Sequence, residues 1–332
     1  MKLSPIEQLN AIIGLSKRIE GWPSTLADLG YSLERIELQL KIPDRKRPGV
    51  SVEVTPDILF AAYERNYSLV VELKSGTHQG FDQLNKLLPI TPKELVLYGR
   101  IGLRASDVTT HKISITEIIN HDFLKEYLAE FQRLNYEATL ISIDSKEIKS
   151  YHGDIKDVKL DKTFKNGIDI EKSRRPTRLI RVLPTTDDKY ALTSSVVDAF
   201  KELWVNNEHS VTPQIISLRV FKQLWGAFDK WAQDSYFNYA RKILTDMQRT
   251  EFNRYMRPVP AKNAEWKLLH TPEESDQRHR SRAIQSFQNL VAEYKWRARH
   301  ERPYPKKLAA QPSFYDMEGI LPSNEDDSSE EE

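Results

Sequence analysis

Two acids and a base stand at the ends of two short apolar runs. The stretch TPDILFAAYERNYSLVVELKSG, Thr55 to Gly76, carries Asp57 at the head of DILFAAY and Glu72 and Lys74 at the close of SLVVELK. In a strand, side chains alternate between faces, so Glu72 and Lys74 share one side and Leu73 takes the other. The polar turn ERN between the runs predicts a hairpin. Counted out from that turn, Asp57 falls opposite Lys74, with Glu72 one diagonal step away. Two carboxylates and one ammonium then meet at one end of a sheet. Neighbouring carboxylates resist ionising together. A hard divalent cation removes that resistance, and carboxylate oxygens suit Mg²⁺, which keeps waters and takes phosphate oxygens of a substrate. Such an ion activates water and neutralises charge developing on phosphorus. A lysine beside it orients the water or stabilises the transition state. The plainer reading of the same residues is a strand-terminal ion pair of Lys74 with Asp57 or Glu72.

These residues need a sheet to hold them. Ile6, Leu9, Ile12, Ile13 and Leu15 fall at helical spacing, and a second helix is expected from Thr25 to Leu40. Pro48 and Gly49 punctuate the chain after it. Three strands are expected at 50–54, 57–63 and 68–74, then a helix over GFDQLNKLL, a fourth strand LVLYG at 95–99, a helix at 122–134 and a strand at 137–143. The order helix, three strands, helix, strand is that of a mixed α/β sheet with covering helices.

Pro56-Asp57, fourteen residues, then Glu72-Leu73-Lys74 resembles the PD-(D/E)XK nuclease superfamily. The resemblance covers about the first third of the chain and implies a restriction-endonuclease-like core of order α-β-β-β-α-β. It implies that Asp57, Glu72 and the carbonyl of Leu73 hold Mg²⁺ or Mn²⁺, and that Lys74 is the catalytic base or water-orienting residue. It further implies an acid on the first core helix, for which Glu34 and Glu37 are the candidates. Gln83 matches the helix glutamine of one subgroup, although Leu87 stands where that subgroup has a tyrosine. The activity implied is hydrolysis of phosphodiester bonds, in DNA first of all. A catalytically silent nuclease fold that serves as a scaffold for a protein or nucleic-acid complex is the alternative. His78, four residues after Lys74, is either a surface-loop histidine or a further group near the ion.

The rest of the chain supplies a partner surface rather than a second chemistry. The sequence has no cysteine, so disulfides and thiolate metal sites are excluded. It has no phosphate-loop motif and no histidine pair at zinc spacing. No run reaches the ~18 apolar residues of a membrane span, and the first twenty residues lack an apolar segment with a cleavage site, which fits a cytoplasmic protein. The net charge of +1 conceals an uneven distribution. Arg278 to Lys307 holds nine Lys or Arg against two Glu, and Glu325 to Glu332 holds six acids and no base. Arg174, Arg175 and Arg178 in KSRRPTRLIR, and Arg297, Arg299 and Arg302 farther on, are the candidate contacts to a nucleic-acid backbone. Trp296 and Tyr304 are interleaved with the second group, where an aromatic ring could stack on an unpaired base. If Trp296 instead lies in the core, that segment is a solvated helix face. The expected organisation is a nuclease-like domain at 1–145, a linker or irregular extension at 146–188 in which RLIRVLP is a further strand, and a helical DNA- or partner-binding domain at 189–310. Ser194 and Thr212 are helix caps in that last domain, and an acidic tail at 311–332, expected to be disordered, offers a second docking segment for a protein.

Overall fold

A computed structural model describes residues 3–300 apart from 46, 48, 75, 77–80, 105, 175, 177, 178, 261–263 and 275–279. Helix α1 (Pro5–Leu15) starts on a capping box, with Ser4 and Glu7 exchanging side-chain and backbone bonds and Pro5 at the first helical position. It buries Leu9, Ile12, Ile13 and Leu15. The helix expected at 25–40 is only one turn long, α2 (Thr25–Asp28). Gly30, at φ +78, ends it in a conformation that other residues adopt only under strain. The chain then forms β1 (Ser32–Ile36) and β2 (Leu40–Pro43). Ile36, Leu38 and Leu40 are buried at every second position, the strand period hidden inside an apparent helical pattern.

Strands β2 and β3 (Ser51–Val54) form a separate two-stranded hairpin between β1 and β4 (Ile58–Ala62). β5 (Tyr67–Lys74) follows, then α3 (Asp82–Leu87) and α4 (Pro92–Leu97). The fourth strand expected at 95–99 therefore lies mostly within a helix. Thr91 and Glu94 close a capping box with Pro92 at the first position, and that start signal overrides a short apolar run that fits either period. The strand that takes the place beside β5 is β6 (Lys112–Asn120). It is followed by α5 (Leu124–Leu134), β7 (Thr139–Ile143), β8 (Glu147–His152), α6 (Val158–Asn166) and β9 (Ile168–Asp169). Residues 147–169, within the segment expected as a linker or irregular extension, extend the main sheet.

That sheet has seven strands in the order β1-β4-β5-β6-β7-β8-β9, and the β5–β6 and β6–β7 pairs are parallel. Its class is mixed α/β. Helices cover both faces. Leu59, Val70, Ile115, Ile119 and Leu140 face α3, α4 and α5, with Phe81, Leu84, Leu95, Tyr127 and Phe131 packed on them. Ile58, Phe60, Leu69, Val71, Ile118 and Ile141 face α1 and α6 on the other side. Asp157 braces the sheet's turns: it accepts from Tyr31 at 2.9 Å and from Arg65 at 2.5 Å, and it caps α6.

The chain continues through α7 (Lys189–Val205), β10 (Ser210–Val211), α8 (Pro213–Phe221), α9 (Lys230–Gln248), β11 (Met256–Pro258), β12 (Trp266–Leu268) and α10 (Arg280–His300). Thr212 caps α8 as expected. The cap of α7 is Asp188, which accepts from the N–H of Ala191, and Ser194 lies inside the helix. No strand forms over the described part of RLIRVLP. Trp204 on α7 stacks on Phe287 of α10, with ring centroids 4.1 Å apart, a geometry that contributes about 0.5–1.5 kcal/mol beyond burial.

Leu192, Val196, Phe200, Phe221 and Tyr236 belong to the same continuous core as α1 and its face of the sheet. A fragment of residues 1–188 would expose that face, so it is expected to aggregate or to lack a fixed tertiary signal in near-ultraviolet circular dichroism. The full chain is expected to melt in one transition. A fragment that melts cooperatively near the full-length midpoint would show the two halves to be independent.

Candidate active site

The β4–β5 hairpin pairs Ile58 with Val71, so the next step sets Asp57 opposite Glu72 rather than opposite Lys74. A 3-10 turn at Tyr63–Arg65 and left-handed Asn66, at φ 57, take up chain that the simple count gives to the strands. The Asp57 Oδ2 accepts the backbone N–H of Leu73 at 2.6 Å. The Lys74 ammonium donates to Glu72 Oε1 at 2.7 Å. Leu73 itself packs on the opposite face.

The ladders on either side add two more acids. Parallel pairing aligns Glu72 with Glu117 of β6. Beyond the end of β1, the Glu37 N–H donates to the Asp57 carbonyl at 2.9 Å. Glu37, Asp57, Glu72 and Glu117 thus lie in one row across four neighbouring strands, at the ~4.8 Å spacing of a sheet. Lys74 is the cation bonded into this row.

Burial sets the electrostatics. Asp57 keeps some accessible surface, yet its carboxyl lies among enough protein atoms that poor hydration raises its pKa well above the usual range, and Glu72 raises it further. The Leu73 N–H and Lys74 pull it back, and the Glu37 charge adds to the rise. Burial raises Glu72 against the pull of Lys74. Burial raises Glu37 too, opposed by its hydrogen bond from Thr185. Glu117, 1% exposed, is pushed up to about 7 by burial, with Lys74 lowering it and Glu72 raising it. Burial alone would lower Lys74, but Glu72, Glu117 and Asp57 outweigh that and raise it. It stays an ammonium at neutral pH.

One oxygen on each of Glu37, Glu72 and Glu117 is buried without a hydrogen-bond partner. A buried carboxylate oxygen left unpaired is costly, and three in one row suit a cation with oxygen ligands. The acids are nonetheless in a line. Among the described residues, no three of them are arranged as a finished metal cage. Asp57 and Glu72, which face each other, fit the group best, with Glu37 and Glu117 flanking them.

The other expected residues are placed differently. Glu34 lies on β1, not on a helix, and its carboxylate accepts from Tyr63 and Ser32, both at 2.7 Å. Glu37 follows the same strand, so neither acid stands on the helix that the resemblance implied. Gln83 is half-buried on α3, and no hydrogen bond among the described residues joins it to the acids. Arg174 is exposed, and its backbone N–H donates to Gly21. Arg297 pairs with Glu293 on α10, and Arg299 lies over the Tyr190 ring at 5.8 Å. Trp296 is 61% exposed and stacks on His300, so the placement in the core is ruled out. His78, Arg175, Arg178, Arg302, Tyr304 and the acidic tail lie outside the described residues. Sequence reasoning missed Glu117. Its signal is an acid within KISITEIIN, at an alternate position where the neighbours Ile115 and Ile119 are buried.

Glu117 makes the metal-free protein pH-sensitive. Its carboxyl is raised from 4.5 to about 7, so the fold prefers the proton, and the associated stability is complete below 4.5 and lost as pH rises through 7. The loss from this group is about 3 kcal/mol. Thermal melts in EDTA should therefore show the midpoint falling between about pH 5 and pH 8, and Glu117→Gln should flatten the fall. Parallel profiles for the two proteins would remove Glu117 as the cause.

No helix among the described residues is long and apolar enough to cross a membrane. No curated protein and no solved structure matches the chain. A family model, the MJECL32 domain, matches residues 5–180. That span holds α1, the whole seven-stranded sheet and all four acids of the row, and it exceeds half of the 332 residues. The chain belongs to the MJECL32 domain family.

Proposed function

We propose that this protein is a metal-dependent nuclease that hydrolyses phosphodiester bonds, DNA being the first substrate to test, on a restriction-endonuclease-like core. The observation that carries the reading is Asp57 facing Glu72 across paired strands, with Lys74 two residues on and bonded to Glu72 at 2.7 Å. The order of elements supports it. α1 precedes β1, β4 and β5, which pair antiparallel in sequence, and α3 and α4 cross over to a parallel β6. The β2–β3 hairpin is then an insertion between the first two core strands.

Asp57 and Glu72 would hold Mg²⁺ or Mn²⁺, together with the Leu73 carbonyl that the resemblance implies. The ion, when bound, would supply Lewis-acid polarisation of the scissile phosphate. The residues of the chain do the positioning. The Leu73 N–H fixes the Asp57 carboxyl. Lys74, held as an ammonium, acts as a hydrogen-bond donor to a phosphate oxygen or an attacking water rather than as the base. Glu117, with a pKa of about 7, is the acid whose proton affinity suits taking a proton from that water at neutral pH. Exposed Arg174, Arg297 and Arg299 offer charge to a nucleic-acid backbone.

The direct Lys74–Glu72 ion pair favours one other reading, a silent scaffold in which lysine already neutralises the acid. Cleavage of plasmid and single-stranded DNA with Mg²⁺ or Mn²⁺, against EDTA, separates the two. Asp57→Ala, Glu72→Ala and Lys74→Ala should each lower the rate by about 100-fold or more while the melting transition persists. Binding of DNA without cleavage by the unaltered protein would identify the scaffold. Cleavage that survives all three substitutions would sink the site.

A further inference from the structure

Glu37 leaves β1 in the left-handed region, at φ 53, where residues other than glycine are uncommon and held in place by their surroundings. That turn takes the chain out of the seven-stranded sheet and into the β2–β3 hairpin, which returns to the sheet at Asp57. The sheet and the helical half both hold the turn. The N–H of Glu37 donates to the Asp57 carbonyl at 2.9 Å, and the N–H of Leu38 to the Pro56 carbonyl at 3.2 Å. The indole N–H of Trp231 donates to the Glu37 carbonyl at 2.7 Å, and the Thr185 hydroxyl donates to the Glu37 carboxylate. The Asp229 N–H donates to the Ile36 carbonyl at 3.1 Å, and Asp229 Oδ2 accepts from the Gln39 N–H at 2.9 Å.

The far end of the hairpin is held as well. Arg45, in its turn, donates through Nη2 to both carboxylate oxygens of Glu94, at 2.8 and 2.9 Å, and to the Pro89 carbonyl at 3.2 Å. Between the two ends, Leu40, Ile42 and Val54 are buried in the core that α3 and α4 share. The hairpin is therefore an arm fixed at root and tip. That tip is rich in positive charge: KIPDRKR, residues 41–47, has four bases against one acid. Between the tip and α3 lies a cleft of about 570 Å³, with Arg45 and Arg47 on one wall and Asn85 and Lys86 on the other. Its acids are Asp44, bonded to Arg47 at 2.7 Å, and Asp82 in the first turn of α3. Arg47 remains 70% exposed and Arg45 51% exposed, so both guanidinium groups still face solvent.

We infer that the β2–β3 arm and α3 form a nucleic-acid surface, a cleft in which Arg45, Arg47 and Lys86 take phosphates of one DNA strand beside the acid row. This rests on the proposed nuclease reading and adds to it a place where the substrate is held, apart from α10. The arm is rooted in the acid row, since Glu37 precedes it and Asp57 follows it. Pro43 is six residues from Glu37, a reach of at most ~20 Å in a strand. At ~3.4 Å per nucleotide, that corresponds to about six nucleotides between the cleft and the acids. Contacts of this kind set the position of a strand without reading its bases. A cleft whose walls are already fixed loses little further freedom when the strand enters.

Fluorescence anisotropy of a labelled DNA duplex and a labelled single strand, in EDTA so that no metal-dependent cleavage occurs, tests this on the full chain. Arg47→Gln and Lys86→Gln alter exposed side chains, and Arg45 is kept so that Glu94 retains its partner. The double variant should bind about tenfold more weakly at about 50 mM salt, by the same factor for unrelated sequences. Its slope of log K against log salt should be smaller by about two, one for each phosphate contact removed. Lys162→Gln, at an exposed position of α6 on the opposite face of the sheet, should bind as the unaltered protein does. With Mg²⁺, the double variant should raise KM and leave kcat unchanged. Unchanged affinity and salt slope in the double variant of a protein that binds and cleaves DNA overturn the arm's role and leave the nuclease reading standing. An equal loss in Lys162→Gln overturns it too, because the effect is then one of net charge alone. Binding weakened as expected in a protein that never cleaves keeps the arm and sinks the nuclease. An unaltered protein that neither binds nor cleaves DNA overturns both.

Discussion

Negative charge withheld from water is the constraint on which this structure turns. Four carboxyls occupy neighbouring positions on four strands, and one ammonium, Lys74, is bonded among them. Their solvation is poor because β4 and β5 are covered on both faces, so that Ile58, Leu59, Val70 and Val71 have essentially no exposure. Charge in such a place is resolved in three ways: by a proton, by an opposite charge, or by hydrogen bonds to the ionised form. Each appears in the row. Glu117 favours its proton, Glu72 has Lys74, and Asp57 has the Leu73 N–H. The three unpartnered oxygens are the part left over, and that remainder distinguishes this arrangement from a closed structural ion pair.

The two cores divide the labour of holding the row. On the acid face, α3, α4 and α5 pack their leucines and aromatic rings against the strands that carry the acids. The opposite face is covered by α1 and α6, and the core it forms runs on without a break into α7–α10. The family match stops at residue 180, while the core does not. Stability and geometry on the first 180 residues therefore depend on residues that follow them. The hydrogen bonds that join Trp231 and Asp229 to residues 36–39 make that dependence local to the acids.

The sequence made the acid–acid–base triad visible because β4 and β5 are adjacent in the chain, and both strands carry the apolar enrichment of buried ladders. It misplaced the register because the connection spends residues on a 3-10 turn and on a left-handed asparagine, neither of which a strand count includes. The helix expected at 25–40 failed for a different reason. Leu33, Ile36 and Leu40 satisfy a helical period, while Ile36, Leu38 and Leu40 satisfy a strand period, and the pairing of β1 with β4 and of β2 with β3 chose between them. Glu117 lies 45 positions beyond Glu72, and only the length and packing of the α3–α4 crossover decide which residue of β6 falls beside it. Thr185 and Glu37 are 148 positions apart. No local pattern encodes contacts of that kind, since the intervening chain sets them.

A row of carboxylates repels a phosphate backbone, so a nuclease built this way needs positive charge within reach of the same strand of substrate. The clamp on Glu37 shows where that reach begins. Thr185 bonds Glu37, and five residues later Tyr190 carries Arg299 over its ring at 5.8 Å. Five residues of chain extend at most ~18 Å. The basic end of α10, with Arg297, Arg299 and the exposed Trp296, is therefore tied to the end of the acid row at which Glu37 stands. At ~3.4 Å per nucleotide along a duplex strand, a separation of that order corresponds to about half a helical turn. On the proposed reading, a backbone anchored at α10 would meet the acids within a few phosphates of the anchor. The same helices that hold Glu37 in its strained conformation would then also set the distance from the binding surface to the site of cleavage.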